Sequence, residues 1–585
     1  MASNQWNAVI CVAVCLFSVF NMVPSCMAKT KYFDWNITIV NYTRNCATKP
    51  ILTVNGQYPG PAIYVTEGDR VIVKLTNNAK SNVTIHWHGI RQVGSCWQDG
   101  VAYITECPIQ PGNYEVYDFV VSEQRGTALW HAHISWIRAT VHGAFITQPA
   151  KNRYPFPKPC QEETVILGEW WNQDVELVEK QGLDAGASFP LADAMTINGL
   201  PGTQYNCSGS EGLAVIDVQQ GKTYLLRVIN AALNTELFFA IANHSLTVVE
   251  IDSNYVKPFT VDKGIVITPG QTVNVLVTAN QSPGTYYMVG QSHSTILVTD
   301  LSGIPPQGLP LILADVPPIP TTGLFQYQNA PVLVNNQTLY PDLPDIKDTN
   351  YSTNFASSLK ALHPGTLPLS NNIRHLLYTV GTGTESCTDA NPCAPQQGAY
   401  RVTGMISNVS FVSPKTAILQ AHYYNISGVY LSTFPDSPPK VFDFTAAPSP
   451  PPGDQIAEKA TRVAEVEFGT VVQLVLQDVN NFAFESHPFH LHGFFFHVLG
   501  QGLGDYNATS DLAKFNYYDP PLRFTASLPT RGWVAIRFKA DNPGVWFLHC
   551  HLEKHLSYGM AAVFIVKDGN QTQQKLPPPK RLNQC

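Results

Sequence analysis

The chain has 585 residues, 44% of them hydrophobic and 14% charged, and a net charge of −7. That length predicts several domains, and that composition excludes a disordered chain, which has too little apolar surface to bury. No Lys/Arg run or basic stretch is present, so nucleic acid is not an expected partner.

Residues 8–20 read AVICVAVCLFSVF, an apolar run too short to span a bilayer and placed where the core of a secretory leader lies. With CMA at 26–28 as a cleavage site, the reading is a leader over 1–28, a mature chain from Lys29, and a secreted protein free of the membrane after processing. Cysteine usage agrees. Nine cysteines follow the leader. If Cys550 binds a metal, eight remain (Cys46, Cys96, Cys107, Cys160, Cys207, Cys387, Cys393 and Cys585), an even number suited to disulfides in an oxidising compartment. Twelve N-x-S/T sequons, from Asn36 to Asn570, point to a glycosylated extracellular protein.

Beyond the leader, strand signals dominate. DRVIVKL, YEVYDFVV, KTYLLRVI, TVNVLVTA, VVQLVLQDV and WVAIRF are short, β-branched or aromatic, and mostly alternating. Long amphipathic patterns are scarce and Pro/Gly turns recur, so the fold class is all-β, built of sandwiches or barrels. An internal repeat divides the chain: RGTALWHAH (125–133), PGTYYMVGQ (283–291) and PGVWFLHCH (543–551). Counting five and seven from the glycines gives His131 and His133, then Val289 and Gln291, then His549 and His551. Three related domains are expected, at 29–155, 156–310 and 371–585, the middle one without ligands. The Pro/Asn/Asp/Ser-rich segment 311–370 reads as a linker, and His244 in IANHS as a packed or surface histidine rather than a ligand.

The outer domains carry four H-x-H pairs: His86/His88, His131/His133, His490/His492 and His549/His551. Chance gives about one such pair or fewer, and their matching repeat positions make metal binding the reading. On a strand each pair aims both imidazoles to one side, so eight ligands from two domains suit a multinuclear cluster between them. Cys550 lies between His549 and His551 and must face the other way. With His487 and His555 it forms a His2Cys set, and Met560 is available as a weak axial ligand, as in blue-copper centres. Zinc accepts the same donors, but a lone thiolate joined to a multi-histidine cluster serves little purpose in a redox-inert protein, so copper is favoured.

Four segments, HWHGIRQVGSCWQDGVAYITECPIQPG, GTALWHAHISWIRATVHGAF, HPFHLHGFFFHVLG and GVWFLHCHLEKHLSYGM, resemble the multicopper oxidases, and within them the plant laccases. The resemblance covers nearly the whole mature chain. It implies three consecutive cupredoxin-like Greek-key domains, oxidation of small phenols, reduction of O2 to water, and a monomer in the apoplast acting in lignin or flavonoid metabolism. It implies four copper ions: type 1 at His487, Cys550, His555 and Met560; type 2 at His86 and His490; a type 3 pair at His88, His131, His133, His492, His549 and His551. Asp99 is implied as a proton relay or as support for a ligand histidine, and Glu553 as a relay. His555 is expected nearest the substrate, with Asp193 against it and Trp170 and Trp171 as an aromatic wall. Disulfides Cys107–Cys585 and Cys46–Cys207 follow the relatives' pattern, and Cys387–Cys393 would close a local loop.

Met560 departs from the Leu or Phe of many laccases and points to a lower potential. Cys96 and Cys160 are atypical and read as an extra disulfide; His497 reads as packing. Ascorbate oxidase is the nearest alternative, and a non-catalytic copper-binding wall protein the alternative of another class.

Overall fold

The structure, a computed structural model, describes residues 28–150, 153–186, 189–205, 212–295, 319–330, 338–388, 400–441, 443–445, 456–479, 485–581 and 585. The expected leader lies outside them except for its last residue.

Three two-sheet units follow one another. The first has two four-stranded sheets within residues 30–148, the second a six- and a five-stranded sheet within 161–327, and the third an eight- and a five-stranded sheet within 373–566. Alternation builds the first unit. In Arg70–Asn77, Val71, Val73 and Leu75 turn inward while Arg70 and Lys74 face solvent. Those three meet Ile85, Trp87 and Trp130 of the opposing sheet in one core, each buried aliphatic side chain contributing ~1.5–3 kcal/mol. Val471–Asp478 in the third unit is buried on both faces. Leu474 and Leu476 enter the main core, and Val475 packs with Leu499, Phe515 and Trp533 on the other side.

The sequence repeat is a structural repeat. Gly126–Ala132 pairs with Ile85–His88, Thr285–His293 with Glu236–Ile241, and Gly544–Cys550 with His487–Leu491. In register, His86 faces His131 and His490 faces His549. At the same place in the middle unit Ala240 faces Val289. His244 is buried there, bonded to the Tyr327 hydroxyl at 2.8 Å and the Ala242 carbonyl at 2.7 Å.

The 311–370 segment is more than a linker. Thr321–Tyr327 is a buried strand of the second unit, antiparallel to Thr285–His293 and parallel to Val215–Val218. Thr349–Ser358 is a helix that packs Phe355 into the second core. The apolar stretch GLFQY was masked by its Pro- and Asn-rich surroundings. Among the described residues, no helix is long and apolar enough to cross a membrane.

Candidate metal centres

Local backbone explains the convergence of the histidines. In three of the four pairs the first member is the next-to-last residue of a strand and the second stands just beyond the strand's end; His86 and His88 both lie within Ile85–His88. All eight are buried. His86 Nε2 lies 3.4 Å from His490 Nε2. His133 Nε2 is 3.4 Å and His492 Nε2 is 3.1 Å from His549 Nε2. His88 Nδ1 is 3.4 Å from His131 Nε2, and the His551 ring stands 4.7 Å from His88 and 5.4 Å from His131, centre to centre.

Backing contacts aim these rings. The Nδ1 atoms of His86, His131, His490 and His549 donate to the carbonyls of Asp99 (2.7 Å), Ala132 (2.8 Å), Phe524 (2.7 Å) and Cys550 (2.9 Å). His492 Nδ1 donates to the Asp99 carboxylate at 2.9 Å. Each of these rings is left with an Nε2 lone pair turned to the others, the arrangement of metal-binding histidines. His88 is reversed: its Nε2 meets the Thr525 hydroxyl at 3.2 Å and its Nδ1 faces the group. Burial, and after it the neighbouring imidazoles and Arg138, hold His88, His131, His133, His490, His492 and His551 well below their ordinary pKa, and His549 at about 3. They are therefore neutral donors. His551 Nε2 is buried with no hydrogen-bond partner, an orphan that a cation would satisfy.

The second centre lies across the same strand. Cys550 Sγ is 3.5 Å from His555 Nδ1 and 3.7 Å from His487 Nδ1, and the two Nδ1 atoms are 3.1 Å apart. Met560 is fully buried. Its amide donates to the His555 carbonyl at 3.0 Å and its carbonyl accepts from the Cys550 amide at 3.1 Å. Burial raises the Cys550 thiol well above its ordinary pKa, so a thiolate there calls for a cation beside it. One soft sulfur with two imidazoles is a donor set that fits copper, and copper would be held by these residues.

Residues 36–152, 161–303 and 433–570 match the multicopper oxidase family. Laccase-11 of Arabidopsis thaliana is 46% identical, covering 95% of this chain and 96% of that protein. Laccase-2 of Oryza sativa subsp. japonica is 44% identical over all of both chains. The chain belongs to the multicopper oxidases, among the plant laccases. The crystal structure of the laccase from Botrytis aclada superimposes with a TM-score of 0.73 at 26% identity, covering 94% of this chain and 89% of that one. The three units of this laccase are thus cupredoxin-like domains. The relatives decide against ascorbate oxidase and a non-catalytic wall protein.

Asp99 is fully buried and binds His86 through its carbonyl and His492 through its carboxylate. Glu553 is held by Arg138 at 2.7 Å. Asp193 is exposed: its carboxylate accepts from the Asn172 amide at 2.7 Å and its charge acts on Lys49. The carboxylate on His555 is instead Glu485, 3.3 Å from His555 Nε2. Burial opposes charge on Glu485, but Lys554 and His555 hold it far below its usual pKa. The tryptophan pair splits. Trp170 packs on Tyr58 under Lys49, whereas Trp171 joins Trp136 and Phe189, and Phe189 stacks towards Tyr558 beside the His555 helix. His497 is buried and bonds the Pro520 carbonyl at 3.3 Å.

Cys96 and Cys160 do not form the expected disulfide: both are free. Cys96 is buried against the backbone of Val545 and Gly544, beside the ligand strand, while Cys160 is exposed elsewhere. Cys107–Cys585 is present. Cys46 and Cys387 are disulfide-bonded; their expected partners, Cys207 and Cys393, lie outside the described residues. Sequence reasoning missed Arg138, Glu485, Asp478 and Gly404. Arg138 donates to Glu553 and to the carbonyls of His551, Ala232 and Leu233, and its guanidinium lies 3.3 Å from His551 Nδ1. Glu485 and Lys554 flank the ligand motifs, but nothing in their spacing distinguishes them from surface charges.

Proposed function

We propose that four copper ions bind this laccase: one at His487, Cys550, His555 and axial Met560, one between His86 and His490, and one each at His88/His131/His551 and His133/His492/His549. The observation that carries this reading is the strand Gly544–Cys550. It offers Cys550 to one buried group and His549 to another, with His551 next in line. Copper supplies the redox chemistry, single-electron uptake at the thiolate centre and O2 reduction to water at the histidine cluster. The chain supplies the rest. Residues 549–551 join the centres through a few covalent bonds. His555, on the helix Glu553–Ser557, is the ligand offered to small phenols. Asp99 orients His86 and His492, and burial excludes bulk water from the cluster.

The apolar leader, and sequon asparagines such as Asn82, Asn243, Asn425, Asn507 and Asn570 at exposed positions, support secretion to the extracellular space. Cys550→Ser tests the assignment. Visible blue absorption and phenol oxidation should be lost while copper at the histidine cluster is retained. A variant that stays blue would overturn it.

A further inference from the structure

Both imidazoles at the thiolate centre turn Nδ1 to the sulfur, so each presents Nε2 outward. A carboxylate stands behind each. Asp478 Oδ1 lies 3.6 Å from His487 Nε2, and its other oxygen accepts from the Arg531 amide at 2.6 Å. Glu485 Oε2 lies 3.3 Å from His555 Nε2, and its Oε1 accepts from Lys554 Nζ at 2.7 Å. Glu485 is thus shared between an imidazole and an ammonium. Lys554 is anchored in turn, its amide donating to Asn234 of the second domain at 2.9 Å.

We propose that Glu485 is a positioning residue that sets the reduction potential of the thiolate centre, with Lys554 limiting how much of its charge His555 feels. This rests on the copper reading of Cys550, His487 and His555. The physics is direct. A carboxylate accepting from the outer N–H of a ligand imidazole makes that ring a stronger donor and favours the more highly charged, oxidised ion. A buried negative charge this close acts in the same direction, and a neighbouring ammonium opposes it. The two side chains should therefore move the potential in opposite directions, which a merely structural tie between them would not do.

The test is a redox titration of the copper-loaded protein, followed at the blue band, for wild type, Glu485→Gln and Lys554→Gln. Gln at 485 keeps the size and hydrogen-bonding capacity but loses the charge. The potential should rise in Glu485→Gln by about tenfold in the one-electron equilibrium, about 59 mV. It should fall in Lys554→Gln. An unmoved potential in Glu485→Gln, or shifts of one sign in both variants, would overturn the inference while leaving the centre's assignment intact. A copper-loaded wild type with no blue band would overturn both.

Discussion

At position 550 one side chain separates two chemistries, because strand geometry sends Cys550 away from His549. That division was legible in the sequence, since alternation is a local property and the H-x-H spacing repeats. Met560 was legible as a candidate, and it is buried with its backbone tied to both Cys550 and His555. Met560→Leu should raise the potential of the thiolate centre, because a thioether donates weakly to the oxidised ion and Leu donates nothing. A redox titration showing an unchanged or lower potential would remove Met560 from the axial role. The carboxylates were less legible. Asp193 was chosen by resemblance and sits on Asn172 and beside Lys49, whereas Glu485 reaches His555 through a tertiary contact that no local pattern encodes.

At the scale of elements, the ligand strands depend on neighbours that come very close. Gly404, in the strand Tyr400–Ile406, leaves no room for a side chain: a Cβ there would lie 2.9 Å from Met560 Cβ and 3.0 Å from the His555 carbonyl oxygen. Gly404→Ala should cost ~1–3 kcal/mol through overpacking and perturb the blue band, since the strain falls on the segment carrying His555 and Met560. Thermal unfolding and the visible spectrum of the variant check both effects. Gly270 of the second domain packs as closely against the His551 ring, where an added Cβ would sit 2.9 Å away, so the ligand-free middle domain shapes the cluster. In that domain Ala240 and Val289 stand where histidine pairs face each other in the outer domains, as the repeat count places Val289. Its strand Thr321–Tyr327 was illegible because it lies between turn-rich stretches.

At the scale of the molecule, the cluster belongs to two domains at once and needs the first and third held in register. The Cys107–Cys585 disulfide joins them across 478 residues of sequence, and Trp97 Nε1 donates to the Pro577 carbonyl at 2.9 Å close by. Cys585→Ser should cost ~2–4 kcal/mol of stability, the usual range for such links, lower the thermal transition accordingly, and weaken copper retention at the histidine cluster before the thiolate centre. Copper analysis alongside calorimetry would show the order. Arg138 of the first domain bonds two carbonyls of the second and both Glu553 and His551 of the third. Arg138→Met would leave Glu553 buried without its partner and should cost ~3–5 kcal/mol; adding Glu553→Leu should recover part of that loss in the same unfolding assay. The C-terminal link was expected from resemblance, whereas the arginine contact required the assembled interface.

The central claim, that one strand couples a thiolate copper to a three-copper cluster, is tested most directly by anaerobic reductive titration of the copper-loaded protein. The visible and near-ultraviolet bands are followed as electrons are added. Four equivalents per chain should be consumed, with both bands bleached at the end, as the proposed four-copper arrangement requires. Saturation at a single equivalent, with only the visible band responding, would contradict the account.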